Sequence, residues 1–197
     1  GTCGEYRFIN PLTVSGIYSL NVNLLTKDSV GAVTDSRSLL KGIPVVFQID
    51  PGEVSSEKCE MSGSGTTECT ADSICTFKIQ SKDSFGNVVE QRGDTFVMTL
   101  THDTETLERV SFVGEVVDMV EDGVPISGQY KASYQATRSG TYTMILSRYG
   151  SNIRGSPRSV TIAPGAPQPN FFGILGYGSI GGIVSTTLSF TVEARDE

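Results

Sequence analysis

Residues 130–146 read YKASYQATRSGTYTMIL, and the first of two matching copies, residues 6–22, reads YRFINPLTVSGIYSLNV. The two agree at Tyr6/Tyr130, Thr13/Thr137, Ser15/Ser139, Gly16/Gly140 and Tyr18/Tyr142, an offset of 124. Within the second copy Tyr142, Met144 and Leu146 alternate with Thr143 and Ile145. A period of two places them on one face of a strand, with the Ser-Gly pair as the preceding turn. The pattern predicts a β-strand entered through a turn, used twice.

The repeat extends in both directions. Residues 42–52, GIPVVFQIDPG, match residues 155–165, GSPRSVTIAPG, at an offset of 113. The drop from 124 to 113 implies an 11-residue insertion in the first copy, within residues 24–41, read here as an enlarged loop. Downstream, Gly63-x-Gly65 aligns with Gly176-x-Gly178, and residues 77–83, FKIQSKD, with residues 190–196, FTVEARD, again at 113. Internal repeats govern the whole reading of a chain that carries them. The expected division is 1–53, the back of one unit; 54–165, a complete unit; and 166–197, the front of a third.

The complete unit alternates throughout. Phe77 and Ile79 alternate with Lys78 and Gln80; Phe96, Met98 and Leu100 with Val97 and Thr99; Val160 and Ile162 with Ser159 and Thr161. With Tyr130, Tyr142, Met144 and Leu146, these side chains form the expected core. Turns such as Glu121-Asp122-Gly123 separate the runs. No stretch reads as a capped amphipathic helix. About seven short strands in 112 residues predict an all-β chain of tandem β-sandwiches, one complete and two partial.

Composition narrows the function. With 15 basic and 22 acidic side chains the net charge is −7, which argues against nucleic acid as a partner. One histidine, His102, leaves no Ser–His–Asp triad or multi-histidine metal site except through that residue. No catalytic residue, metal or cofactor is expected. The least polar window, residues 171–184, is too short for a spanning helix and is broken by five glycines. Tryptophan is absent, so the cysteine–tryptophan–cysteine core of antibody domains is excluded.

The run Phe77-x-Ile79-x-x-x-Asp83-Ser84-Phe85-Gly86-Asn87, followed by Gly93-Asp94-x-Phe96-x-Met98, resembles the filamin (ABP280)-type immunoglobulin-like repeat. So do Gly128-x-Tyr130-x-x-x-Tyr134, Gly140-x-Tyr142, Gly155-Ser156-Pro157 and the closing Pro164-Gly165. The resemblance implies seven-stranded sandwiches in series and structural rather than catalytic work. It implies protein partners: neighbouring repeats, other proteins, and copies of the chain in a filament. The expected setting is a cell or flagellar surface, with the cytoskeleton or ciliary axoneme as the alternative.

The resemblance also directs attention to particular residues. In the implied sandwich Cys69 and Cys75 flank the turn between the first two strands, where a disulfide is easy; Cys59–Cys69 pairing and free thiols stay open. Cys3 has no partner in view. Family repeats accept a partner strand along the third strand's edge, which here implies Thr95, Val97 and Thr99 as a peptide-binding edge. Phe171 and Phe172 are candidate contacts between repeats. Asp83, Asp94, Asp118, Glu121, Asp122, Asp196 and Glu197 read as turn formers and solvated charge, without the spacing of a calcium loop. His102 reads as an exposed loop residue past the strand that ends at Leu100. The short linkers, with Pro164, Pro167 and Pro169, predict semi-rigid units set end to end.

Overall fold

Alternating apolar residues fold into strands in all three parts of the chain. The computed structural model describes residues 7, 9, 11–27, 30–31, 33–39, 44–103, 111–167, 170 and 172–194. Cys3, Phe171, Asp196 and Glu197 lie outside them. The strands are β1 Gly16–Leu20, β2 Asn23–Lys27, β3 Val33–Leu39, β4 Val45–Ile49, β5 Glu60–Ser62, β6 Glu68–Thr70, β7 Ile74–Gln80 and β8 Phe96–His102. They continue as β9 Ser111–Glu121, β10 Val124–Gln135, β11 Gly140–Arg148, β12 Ser151–Asn152, β13 Arg158–Ala163, β14 Gly173–Leu175 and β15 Thr191–Glu193.

Strands β5 to β13 form one folded-over ladder in the order β5-β7-β10-β9-β8-β11-β13-β6, with β12 beside β11. Two strands change sheets. The first strand of the unit splits into β5, antiparallel to β7, and β6, parallel to β13. The 3-10 turn Ser64–Thr66 lies between them. Strand β9 gives residues 111–114 to β8 and residues 115–121 to β10. The result is a sandwich whose outermost strands, β5 and β6, are three residues each, a short edge that resists unwanted pairing.

All eleven expected core residues are buried, Phe96 the most exposed at 7%. Tyr130 and Phe96 meet edge to face, ring centroids 4.9 Å apart. Each such side chain contributes about 1.5–3 kcal/mol on burial. The Tyr142 hydroxyl donates to the Arg138 carbonyl at 2.9 Å, the tyrosine-corner contact of immunoglobulin-like sandwiches. Gly65 packs against β7 so closely that an added Cβ would stand 2.6 Å from the Thr76 oxygen.

The flanking segments repeat these features in register. Gly16 pairs with Ile49 and Tyr18 with Phe47, as Gly140 pairs with Ile162 and Tyr142 with Val160. Tyr18 repeats the tyrosine corner, donating to Val14 at 2.7 Å. Ile174 pairs with Val192 as Met61 pairs with Ile79. A Cβ on Gly178 would meet the Ser189 oxygen at 2.6 Å, the counterpart of Gly65 and Thr76. One expectation is corrected: the stretch read as an enlarged loop contains the antiparallel pair β2–β3. Its alternation is hidden by Asp35, Ser36 and Arg37, polar residues that signal a turn when read locally.

Candidate functional site

The expected peptide-binding edge is covered over part of its length, since β9 pairs with β8 only at residues 98–101. Strand β8 lies between β11 and β9, and Thr99 is paired with Ile145 on one side and Val113 on the other. Val97 pairs with Ser147 of β11, and Thr95 precedes the strand. Val97 does face outward, 49% exposed, because the alternation is correct. Alternation reports the face of a strand and is silent about its neighbours, so the lateral position could not be read from it.

His102 is the last residue of β8 and is buried, not an exposed loop residue. One more step of the Phe96–Met98–Leu100 alternation leads to it. Its ring packs edge to face on Tyr142, centroids 4.6 Å apart, and Nε2 stands 3.2 Å from the Ser139 carbonyl oxygen. Gly140 leaves the room for this ring. The imidazole therefore fills the end of the core.

Of the aspartates read as solvated charge, Asp83 is buried and Asp94 half-buried. Asp94 pairs with Arg148, Oδ1 to Nη2 at 2.6 Å, with both side chains largely covered. Arg148 also donates to the Val54 carbonyl at 3.1 Å, tying the entry of the unit to β11. Cys59 is fully buried nearby as a free thiol, and burial pushes its pKa up, which keeps it protonated and unreactive. Asp118, Glu121 and Asp122 are exposed, as expected.

Asp83 is 1% exposed and organises the turn at residues 83–87. Oδ1 accepts from the Phe85 and Asn87 backbone N–H groups, each at 2.9 Å. Oδ2 accepts from Asn87 Nδ2 at 2.8 Å and from the Gly52 N–H at 2.9 Å. Burial pushes the carboxyl pKa up, but the bonds from Asn87, Gly52 and Phe85 outweigh it and pull the value down to about 2. Asn87 reaches further back along the chain: Oδ1 accepts from the Ser15 N–H at 3.0 Å and Nδ2 donates to the Thr13 carbonyl at 2.9 Å. Sequence reasoning found the turn but missed these long-range bonds, because they join residues 72 and 74 positions apart.

Cys69 and Cys75 form a disulfide with a Cα–Cα distance of 6.0 Å. It joins β6 to β7 and so links the two sheets where the first strand has crossed over. An open groove of about 720 Å³ lies beside it, lined in part by Glu68, Thr76 and Thr161. Among the described residues, no group of three or more His, Cys, Asp or Glu side chains is placed to hold a metal, and no helix is long and apolar enough to cross a membrane. Phe172, Ile174 and Leu175 are 43%, 60% and 52% exposed.

Comparison with known proteins follows the same outline. The chain is 27% identical over 124 residues to the Bos taurus E3 ubiquitin-protein ligase TRIM45; the match takes in 63% of this chain and 20% of that protein. Among solved structures, FdeC, an Escherichia coli adhesin, is 16% identical, with a TM-score of 0.53 over 92% of this chain and 51% of that one. That likeness is one of fold. The Lin-41 filamin domain is also 16% identical, with a TM-score of 0.43 over 59% of this chain and all of the domain. The filamin/ABP280 repeat profile matches residues 53–159, the stretch that carries the folded-over ladder, the split first strand and the Asp83 turn. The chain belongs to the filamin/ABP280 repeat family.

Proposed function

We propose that the chain is a segment of a tandem array of filamin-type repeats, divided at 1–53, 54–165 and 166–197, that spaces and links other proteins in a fibre, cell-surface or cytoskeletal assembly. The observation that carries this reading is the recurrence of strand register between stretches related by the sequence offsets of 124 and 113. Pairs β1–β4 and β11–β13 share one register, and pairs β14–β15 and β5–β7 share another. Chains with such regular units form extended, nearly one-dimensional molecules. The exposed apolar residues Leu20 and Val192, whose counterparts Met144 and Ile79 are buried in the 54–165 unit, fit the reading of 1–53 and 166–197 as partial units.

The partners are other proteins, neighbouring repeats and further copies of the chain. The module is read as non-catalytic, since its histidine packs within the core. The disulfide favours an oxidising compartment and hence the cell exterior. Electron microscopy of the natural full-length protein is expected to show a string of units at regular spacing. A single compact particle would overturn the proposal.

A further inference from the structure

We infer that the Asp83–Asn87 turn is a clamp between consecutive repeats, whose ligand is the backbone of the preceding repeat. This rests on the tandem-array reading above. The clamp grips both strands of the preceding segment's β1–β4 pair at one end, the end where Gly16 faces Ile49. Asn87 takes the Ser15 N–H and the Thr13 carbonyl just before β1, and Asp83 takes the Gly52 N–H just after β4.

The chemistry suits backbone as the ligand. A carboxamide presents one acceptor and one donor side by side. Bonding to a carbonyl and to the N–H two residues on, it occupies the place a neighbouring strand's peptide group would take. No particular side chain is needed at positions 13 or 15, only extended backbone. Asp83 holds Asn87 in turn, so the two grips are coupled through the 2.8 Å bond between them. Beside the clamp a cleft of about 370 Å³ separates Gly16 and Ile49 from Val88 and Glu90. The two segments are thus not packed tightly at this face, and polar bonds hold it closed.

The sequence repeats four of these positions at the next junction. Thr13, Ser15 and Gly52 correspond to Thr137, Ser139 and Gly165, and Asp83 corresponds to Asp196. A clamp repeated at each junction sets one orientation from unit to unit, which gives the array a defined direction as well as a length.

Hydrogen exchange followed by mass spectrometry on the full chain tests this. Asn87→Ala removes both bonds to residues 13 and 15 and is expected to accelerate exchange at residues 11–16, with residues 140–148 unchanged as the control for folding. Gly52→Pro works from the other side of the junction and removes the N–H that Asp83 accepts. It is expected to accelerate the same segment. Gly52→Ala keeps the N–H, places its Cβ in ordinary contact 3.6 Å from Asp83 Oδ2, and is expected to leave exchange as in the parent chain. Unchanged exchange at residues 11–16 in either Asn87→Ala or Gly52→Pro overturns the clamp. A compact full-length particle in the microscope would instead overturn the array.

Discussion

Asp83 shows how one side chain can be misjudged from its type. An aspartate followed by Ser, Phe, Gly and Asn reads as a solvated turn former, and the turn is there. The carboxylate is nevertheless covered and holds four hydrogen bonds, one from outside its own unit. These bonds stabilise the charged form, so its folded pKa, about 2, lies below the ordinary value of 3.8. The sign follows from linkage: the unfolded chain takes up the proton first as pH falls. Asp83's contribution is therefore complete above pH 3.8 and disappears as pH falls through about 2. Denaturant unfolding at pH 5, 3 and 2 is expected to show this loss, and Asp83→Asn is expected to flatten that part of the profile. The same loss in both proteins would assign it to other carboxylates.

Strand β8 carries the lesson at the scale of elements. Its inward and outward faces were legible from Phe96, Met98 and Leu100 against Val97 and Thr99. Its neighbours were not, because β9 comes to it from ten or more residues away and then leaves for β10. Backbone pairing on both sides makes Thr99 intolerant of proline, which removes a ladder N–H. Thr99→Pro is expected to cost more than about 3 kcal/mol in a denaturant melt. An exposed edge strand would tolerate the change with little loss, so a small effect would contradict the pairing. The disulfide acts at the same scale. Closing a loop with a separation of six residues limits the unfolded chain by about 2 kcal/mol on entropy grounds. Cys69 and Cys75 could be matched from the turn between them, whereas the sheet-to-sheet link they make required the parallel β6–β13 pairing.

Over the whole molecule the described strands fall into one large ladder and three separate pairs. Residues 54–165 contain the complete ladder and its buried core, while β1–β4 and β14–β15 are pairs with large apolar residues in solvent. Residues 54–165 expressed alone are therefore expected to unfold in one cooperative step. Agreement of calorimetric and van't Hoff enthalpies checks this. A broad or non-cooperative transition would show that the unit needs its neighbours to fold.

Period-two alternation by itself determined the all-β class and the core from Phe77 to Ile162, and the motifs around Asp83–Asn87 and Gly155-Ser156-Pro157 carried the family resemblance. These are local properties: the face of a strand depends on its own residues, and a repeat is visible wherever it recurs. Only the tertiary structure decided that β8 is paired on both sides at residues 98–101, that His102 closes the core, that Asp94 meets Arg148, and that Asn87 holds Thr13 and Ser15. Each of those depends on which distant backbone lies alongside, and a hydrogen bond between residues 70 or more positions apart leaves no periodic trace in the chain that makes it.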